Sequence, residues 1–281
     1  MSGKGRRAGG LDPERPAAGP LFDAHAHLGD PALAGERQAV LERAAAAGVL
    51  WILDNGTSLE DSDRALAEAA AGGLPAVAAA VGVHPHEAAR APGDFLERLR
   101  EMAVRGAVAV GEIGLDYHYD FSPRPVQREV LRRQLELARE LGLPVVLHER
   151  EAAGEMLEIL DQVGLPERGG VVHSFSGGPA EAEAYLERGL YLGISGMVTF
   201  RGLDRLREAV RRAPAERLLY ETDAPYLAPH PLRGRRNEPA HVAWTVAAVA
   251  ELRGESPEAL LAAAWHGLAR LYGLRPPGGA R

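Results

Sequence analysis

Short apolar runs alternate with amphipathic stretches along most of this chain. The first run, Leu21–His27, carries two histidines at alternate positions. Further runs follow at 50–53, 76–83, 107–113, 145–148, 170–173, 190–194 and 217–222. Runs this short, bounded by Gly, Pro and Asp, predict strands. The segments between them place apolar residues three and four apart. The clearest is 125–141, where Val130, Leu131, Leu135, Ala138 and Leu141 share one helix face and Gly142 and Pro144 end it. Helices are predicted over 35–47, 58–71, 94–104, 125–141, 152–163, 179–188 and 203–212, then 240–253 and 257–271. Continuous apolar strands between helices indicate a parallel sheet buried on both faces. Eight such units predict an α/β fold, a (β/α)8 TIM-type barrel over residues 21–274. An open doubly wound sheet is the alternative, but no G-x-G-x-x-G turn supports it. Residues 1–20, rich in Gly, Pro, Arg and Ala, and residues 275–281 are predicted as tails.

Composition changes the picture in three places. The net charge of −7 over 281 residues gives no general basic field, so a nucleic-acid partner must be held locally. The absence of Cys excludes thiolate metal ligands. Lys4 is the sole lysine, so no lysine is at hand in the predicted barrel for a Schiff base or a carbamylated metal bridge. No apolar run reaches the ~20 residues of a membrane span, and no signal peptide is visible. A cytoplasmic enzyme without an obligate protein partner is expected.

Candidate chemistry gathers at the predicted strand ends. A strand has a side-chain period of two, so His25 and His27 share a face. Glu112, His148, His173 and Asp223 end later strands, as does His84. In a barrel, catalytic groups sit at the C-terminal ends of strands. Four imidazoles and two carboxylates at one mouth repel or desolvate one another unless a cation joins them. The set suits two divalent ions: His25, His27 and Asp223 on one, His148 and His173 on the other, and Glu112 between. Two such ions stabilise the attacking and leaving oxygens of a hydrolysis. Asp223 is the candidate proton acceptor. Four imidazoles favour Zn, Mn, Ni or Fe over Mg, which prefers oxygen ligands.

The motifs Asp23-Ala24-His25-Ala26-His27, Gly82-Val83-His84-Pro85-His86, Gly111-Glu112-Ile113-Gly114-Leu115-Asp116-Tyr117, His148-Glu149-Arg150, His173-Ser174-Phe175-Ser176-Gly177 and Glu221-Thr222-Asp223-Ala224-Pro225-Tyr226-Leu227 occur in this order. Together they resemble the TatD family of metal-dependent deoxyribonucleases, among the amidohydrolase-like barrels. The resemblance runs from about Leu21 to Leu274. It implies divalent metals, with Mg the usual description, and phosphodiester hydrolysis, often as a 3′→5′ exonuclease. It carries metal roles onto His25, His27, Glu112, His148, His173 and Asp223, and a catalytic role onto His84. The chain departs from the family pattern at Ser174, at His148-Glu149-Arg150-Glu151 and at Ala264-Trp265-His266-Gly267.

Phosphate also needs donors. Arg233, Arg235 and Arg236 follow strand eight, and guanidinium groups match phosphate bidentately. Arg150 is a further candidate. Tyr117, Tyr119, Phe175 and Tyr226 fall in predicted strand-exit loops and are candidates for stacking on bases. Asp23 and Glu221 are candidate orienting partners of imidazoles. DNA or another phosphodiester is the expected substrate. An amide or ester hydrolase, acting on a small molecule or an aminoacyl-tRNA, would use the same ligand set. A non-catalytic scaffold is disfavoured by the complete ligand set.

Overall fold

The computed structural model describes residue 17 and residues 19–275. The tail predictions fall mostly outside these residues. Within them, Ala17 is buried and its N–H donates to the Ala243 carbonyl.

Eight strands form one parallel sheet in sequence order. They are β1 (Leu21–Ala26), β2 (Val49–Asn55), β3 (Ala76–Val81), β4 (Ala109–Asp116), β5 (Val145–Arg150), β6 (Gly170–Val172), β7 (Tyr191–Ile194) and β8 (Leu218–Tyr220). The helices are α1 (Pro31–Ala34), α2 (Arg37–Ala46), α3 (Leu59–Ala71), α4 (Phe95–Val104), α5 (Arg124–Leu141), α6 (Ala153–Val163), α7 (Pro179–Glu187), α8 (Asp204–Arg212), α9 (Val242–Arg253) and α10 (Pro257–Tyr272). Local chemistry sets their ends. Ser58 caps α3 by accepting from the Asp61 N–H, with Glu60 and Asp61 in the first turn. Ser256 caps α10 in the same way, and Gly273 ends it in the left-handed region.

The eight-unit barrel is as the pattern predicts, but the strand limits differ at the mouth. β4 continues to Asp116 and β5 to Arg150, because Leu115 pairs with Glu149 and Asp116 with Arg150. The ladder runs on where the apolar run has ended. Only glycine fits at Gly114, where a Cβ would overlap the His148 carbonyl and φ is +156°. β8 is shorter than predicted, and the residues after it close the barrel. The Asp223 N–H donates to the His25 carbonyl at 2.9 Å, and the His27 N–H to the Ala224 carbonyl at 2.8 Å. Asp23 accepts from the Thr222 N–H at 2.8 Å and its hydroxyl at 2.5 Å. Asp23 therefore staples the seam between β1 and the end of β8 and does not orient the His25 ring.

The core fills the barrel and the layer beneath the helices. At the start of β1, Trp265 of α10 packs edge-on against Phe22 and donates to the Pro20 carbonyl. A side chain at Gly267 would strike Tyr191 and the Glu216 carbonyl. The departures at Trp265 and Gly267 are thus packing solutions beneath the barrel. On α5, Gln127 and Gln134 lie seven residues apart on the buried face. Gln134 accepts from the Val83 N–H at 2.8 Å and donates to its carbonyl at 3.0 Å. Gln127 does the same for Asp116, at 2.8 and 3.1 Å. One helix thereby holds the backbone beside His84 and at the end of β4.

Gln134→Leu leaves both buried polar groups of Val83 without a partner. We expect a loss of about 2–4 kcal/mol, read from the urea midpoint of the metal-free protein. An unchanged midpoint would show the clamp to be dispensable.

Candidate metal centre

The predicted ligands converge although they come from five strands. His25 lies on β1 and His27 just past it, so a single strand end delivers both rings. Their Nε2 atoms are 3.2 Å apart. Glu112 Oε2 lies 3.3 Å from His25 Nε2 and 3.5 Å from His27 Nε2. Asp223 Oδ1 lies 3.4 Å from His27 Nε2 and 3.9 Å from His25 Nε2. The other Glu112 oxygen faces a second group. Oε1 lies 2.7 Å from His148 Nδ1 and 2.9 Å from His173 Nε2, and those two nitrogens are 3.3 Å apart. One carboxylate therefore divides between two clusters.

Partners behind the rings set which nitrogen is free. His27 Nδ1 donates to the Asn55 carbonyl at 2.9 Å, leaving the Nε2 lone pair toward the cluster. His148 Nε2 donates to Asp116 Oδ2 at 3.1 Å, leaving Nδ1 free. His173 Nδ1 faces Glu221 Oε1 at 3.4 Å, so its Nε2 is the free atom. His84 is the opposite case. Its Nδ1 accepts from the His86 N–H at 3.1 Å, so the proton sits on Nε2, which lies 3.4 Å from Glu112 Oε1. Burial pushes His84 down to about 3, so the ring is neutral. It faces the cluster as a hydrogen-bond donor.

The donor set fits divalent cations. Ligands held at ~2.0–2.2 Å around one ion stand about 3–3.5 Å apart, which matches most of these separations. Lone pairs of His25 and His27 point at one another beside two carboxylates, and a cation resolves that arrangement. The electrostatics agree. Burial opposes ionisation of Glu112, but His173, His84 and His25 hold its carboxyl well below the usual range. Burial likewise opposes the charge on His27, yet Asp223 and Glu112 push it up to about 9. Without an ion the cluster gathers protons instead. His25, like His84, is an exception: burial and the nearby His173 push it down to about 4.

Asp116 and His86 lie in the motifs quoted above, but the sequence assigns them no role. Asp116 Oδ2 bridges His148 Nε2 and, at 2.8 Å, His86 Nε2. The position two residues beyond Gly114, on the face Glu112 uses, was the available signal. The same alternation corrects the expectation for Tyr117, which turns outward, bonds Glu155 on α6 and is absent from the cleft wall. Phe175 is also corrected. Ser174 adopts φ of +44°, and Phe175 is buried against Tyr185. Glu149 is tied to the Ala152 N–H at the start of α6.

A cleft of about 1130 Å³ opens over the clusters, with Arg150, Tyr119 and Tyr226 in its wall. Tyr226 donates to Asp30 at 2.6 Å. Arg233, Arg235 and Arg236 are not in the wall. Asn237 folds the loop back by donating to the Thr222 and Tyr226 carbonyls. Arg233 lies 3.9 Å over the Phe200 ring, and Arg236 is held by Glu36 and the Ala32 carbonyl.

Two measurements test this geometry. Glu112→Gln is expected to lose ions from both clusters together, read by elemental analysis after dialysis. Full retention would remove the shared carboxylate from the metal centre. Because His27 titrates at about 9 in the metal-free cluster, binding Zn²⁺ or Mn²⁺ at pH 7 should expel protons. Calorimetry in buffers of differing ionisation enthalpy would count them, and acidification should release the ions. Binding with no proton release would contradict the assigned charges.

Comparison with known proteins places the chain. The family model "TatD related DNase" matches residues 22–273. An "uncharacterized metal-dependent hydrolase YabD" of Bacillus subtilis is 36% identical, over 90% of this chain and 98% of that protein. A "3′-5′ ssDNA/RNA exonuclease TatD" of Cronobacter sakazakii is 41% identical, over 90% and 97%. The crystal structure of YJJV, a TatD homolog from Escherichia coli, matches with a TM-score of 0.86 at 34% identity, covering 91% of this chain and 99% of its own. A family model spanning the barrel and relatives matched almost end to end make this chain a member of the TatD related DNase family.

Proposed function

We propose that this metal-dependent hydrolase is a two-metal exonuclease that removes nucleotides from the 3′ end of single-stranded DNA or RNA. The observation that carries the reading is the division of Glu112 between two imidazole clusters at the floor of one open cleft. His25, His27 and Asp223 would hold one ion, His148 and His173 the other, with Glu112 shared. Divalent ions there, whether Mg, Mn or Zn, supply Lewis-acid stabilisation of phosphate charge and lower the pKa of water.

The protein's own groups supply the rest. Asp223 is the proton acceptor. Burial opposes its ionisation, but the His27 hydrogen bond and the charges of His173 and His27 keep its pKa below the ordinary value. Its φ of +57° is a strained conformation for a non-glycine residue, and the Asp223 N–H bond to the His25 carbonyl holds it. His84 donates from Nε2 to an oxygen of the substrate phosphate, and its neutral state makes it a donor at any pH above its own titration. His86 fixes that tautomer through its backbone. Arg150, in the cleft wall, is the guanidinium best placed for the departing strand. The exonuclease named in the comparison is 41% identical, and its substrates support single-stranded nucleic acid here. A cytoplasmic setting, where such ends are generated, belongs to the same proposal.

A carbonyl ester or aminoacyl ester is the second reading, favoured by the scarcity of free arginine in the cleft. Incubating the metal-loaded protein with end-labelled single strands, aminoacyl-tRNA and simple esters separates the two. The exonuclease reading expects shortening from the 3′ end only. Ester turnover without strand shortening would reverse the order. Asp223→Asn should lower kcat on the strand by roughly 10²–10⁴. A near-normal kcat would exclude Asp223 as the base.

A further inference from the structure

The loop joining β4 to α5 is pinned at many points yet presents two aromatic rings to solvent. Asp116 Oδ1 accepts from the His118 and Tyr119 N–H groups at 3.0 and 2.9 Å. Ser122 Oγ donates to the His86 carbonyl and accepts from the Ala89 N–H, each at 3.0 Å. Gln127 donates to the Ser122 carbonyl at 2.8 Å. Arg124 grips Asp120, which sits at φ of +51°. Between these anchors Tyr119 is 48% exposed and Phe121 67% exposed. Their rings are stacked at 10° with centroids 5.3 Å apart. A rigid loop that holds a large apolar pair in water has no packing reason for doing so.

The pair stands at the cleft edge. The Arg150 guanidinium lies 4.8 Å from the Tyr119 ring, and His86 packs edge-on against Phe121 at 4.8 Å. His86 reaches the metal centre through Asp116 and His148. The cleft wall is otherwise acidic, with Asp30, Asp61, Glu87, Glu149 and Glu151. Of the two arginines that line it among the described residues, Arg64 is already paired with Glu60 and Asp61. A polyanion gains little from such a wall through cationic contacts. Stacking has no such requirement, because every base offers a π-face.

We infer that Tyr119 and Phe121 form a stacking platform for the unpaired bases of the nucleic-acid strand whose terminal phosphate enters the metal centre. Arg150 closes the inner edge of the platform. Stacking, rather than phosphate contacts with basic side chains, supplies most of the protein's own affinity for the strand. The platform selects single strands, since bases paired in a duplex do not offer a free face. This inference rests on the nuclease reading given above.

The test is fluorescence anisotropy with a short oligodeoxyadenylate protected at its 3′ end by phosphorothioate. Tyr119→Ala and Phe121→Ala should each weaken binding roughly tenfold. Affinity for an abasic strand of equal length should fall far less in the same variants, and Phe121→Trp should retain tight binding. Plotted against salt, the wild-type affinity should fall with a log–log slope near −1, the mark of about one phosphate contact with a basic side chain. Equal wild-type affinity for the base-bearing and abasic strands overturns the platform, as does a steep salt slope. If the wild type shortens the same strand lacking the phosphorothioate while both alanine variants bind the protected strand normally, the platform fails and the nuclease reading stands. A wild type that neither binds nor shortens any strand overturns both.

Discussion

A single buried carboxylate, surrounded on both oxygens by imidazoles, is the interaction on which the rest of this molecule depends. Glu112 is almost wholly removed from water, and burial alone would drive it to the neutral acid. It stays ionised because His25, His84, His148 and His173 converge on it. Such a concentration of lone pairs and negative charge is costly without positive charge between the groups. Protons fill that role in the bare protein and divalent ions fill it in a metal-dependent hydrolase. The fold must therefore hold like groups together against their mutual repulsion, and its supporting structure answers that demand.

The support comes in two layers. Directly behind the rings, the Asn55 carbonyl and Asp116 accept from the far nitrogens of His27 and His148, and Glu221 faces that of His173, which directs the near ones inward. Behind these, α5 anchors the strand exits with Gln127 and Gln134, and Asp23 fastens the seam where the barrel closes. Each second-layer contact satisfies backbone groups that the strands leave unpaired as they end. The same hydrogen bonds that satisfy the ends of the ladder thus also position the chemistry. The left-handed residues Ser174 and Asp223 lie at two of these exits, where the surrounding bonds hold a conformation the residues would not choose alone.

The cleft above this centre has a largely acidic wall. Among the described residues carboxylates outnumber arginines along its wall, and of the arginines that follow β8 Arg233 reaches it only by lying over Phe200. Side chains of metal-ligand type at the floor and aromatic rings at the rim are the other features of this cleft.

Much of this was legible in the order of residues. The period of apolar positions gave eight strands with helices between, and strand alternation put His25 and His27 on one face. The ligand types at successive strand ends identified Glu112, His148, His173 and Asp223 together. Apolarity reports burial, however, and not the length of a ladder. It ended at Ile113, while the hydrogen bonds ran on to Asp116 and turned Tyr117 away. A polar residue on an apolar helix face, such as Gln134, carries no mark of its partner fifty-one positions earlier in the chain. The sequence by itself determined the architecture and the chemical character of the centre, because periodicity and residue type are local properties. The tertiary structure alone decided which imidazole nitrogen faces inward, that His84 is a donor, and that the arginines after β8 are not among the residues of the cleft wall. Those outcomes depend on hydrogen-bond partners brought together only when the barrel closes.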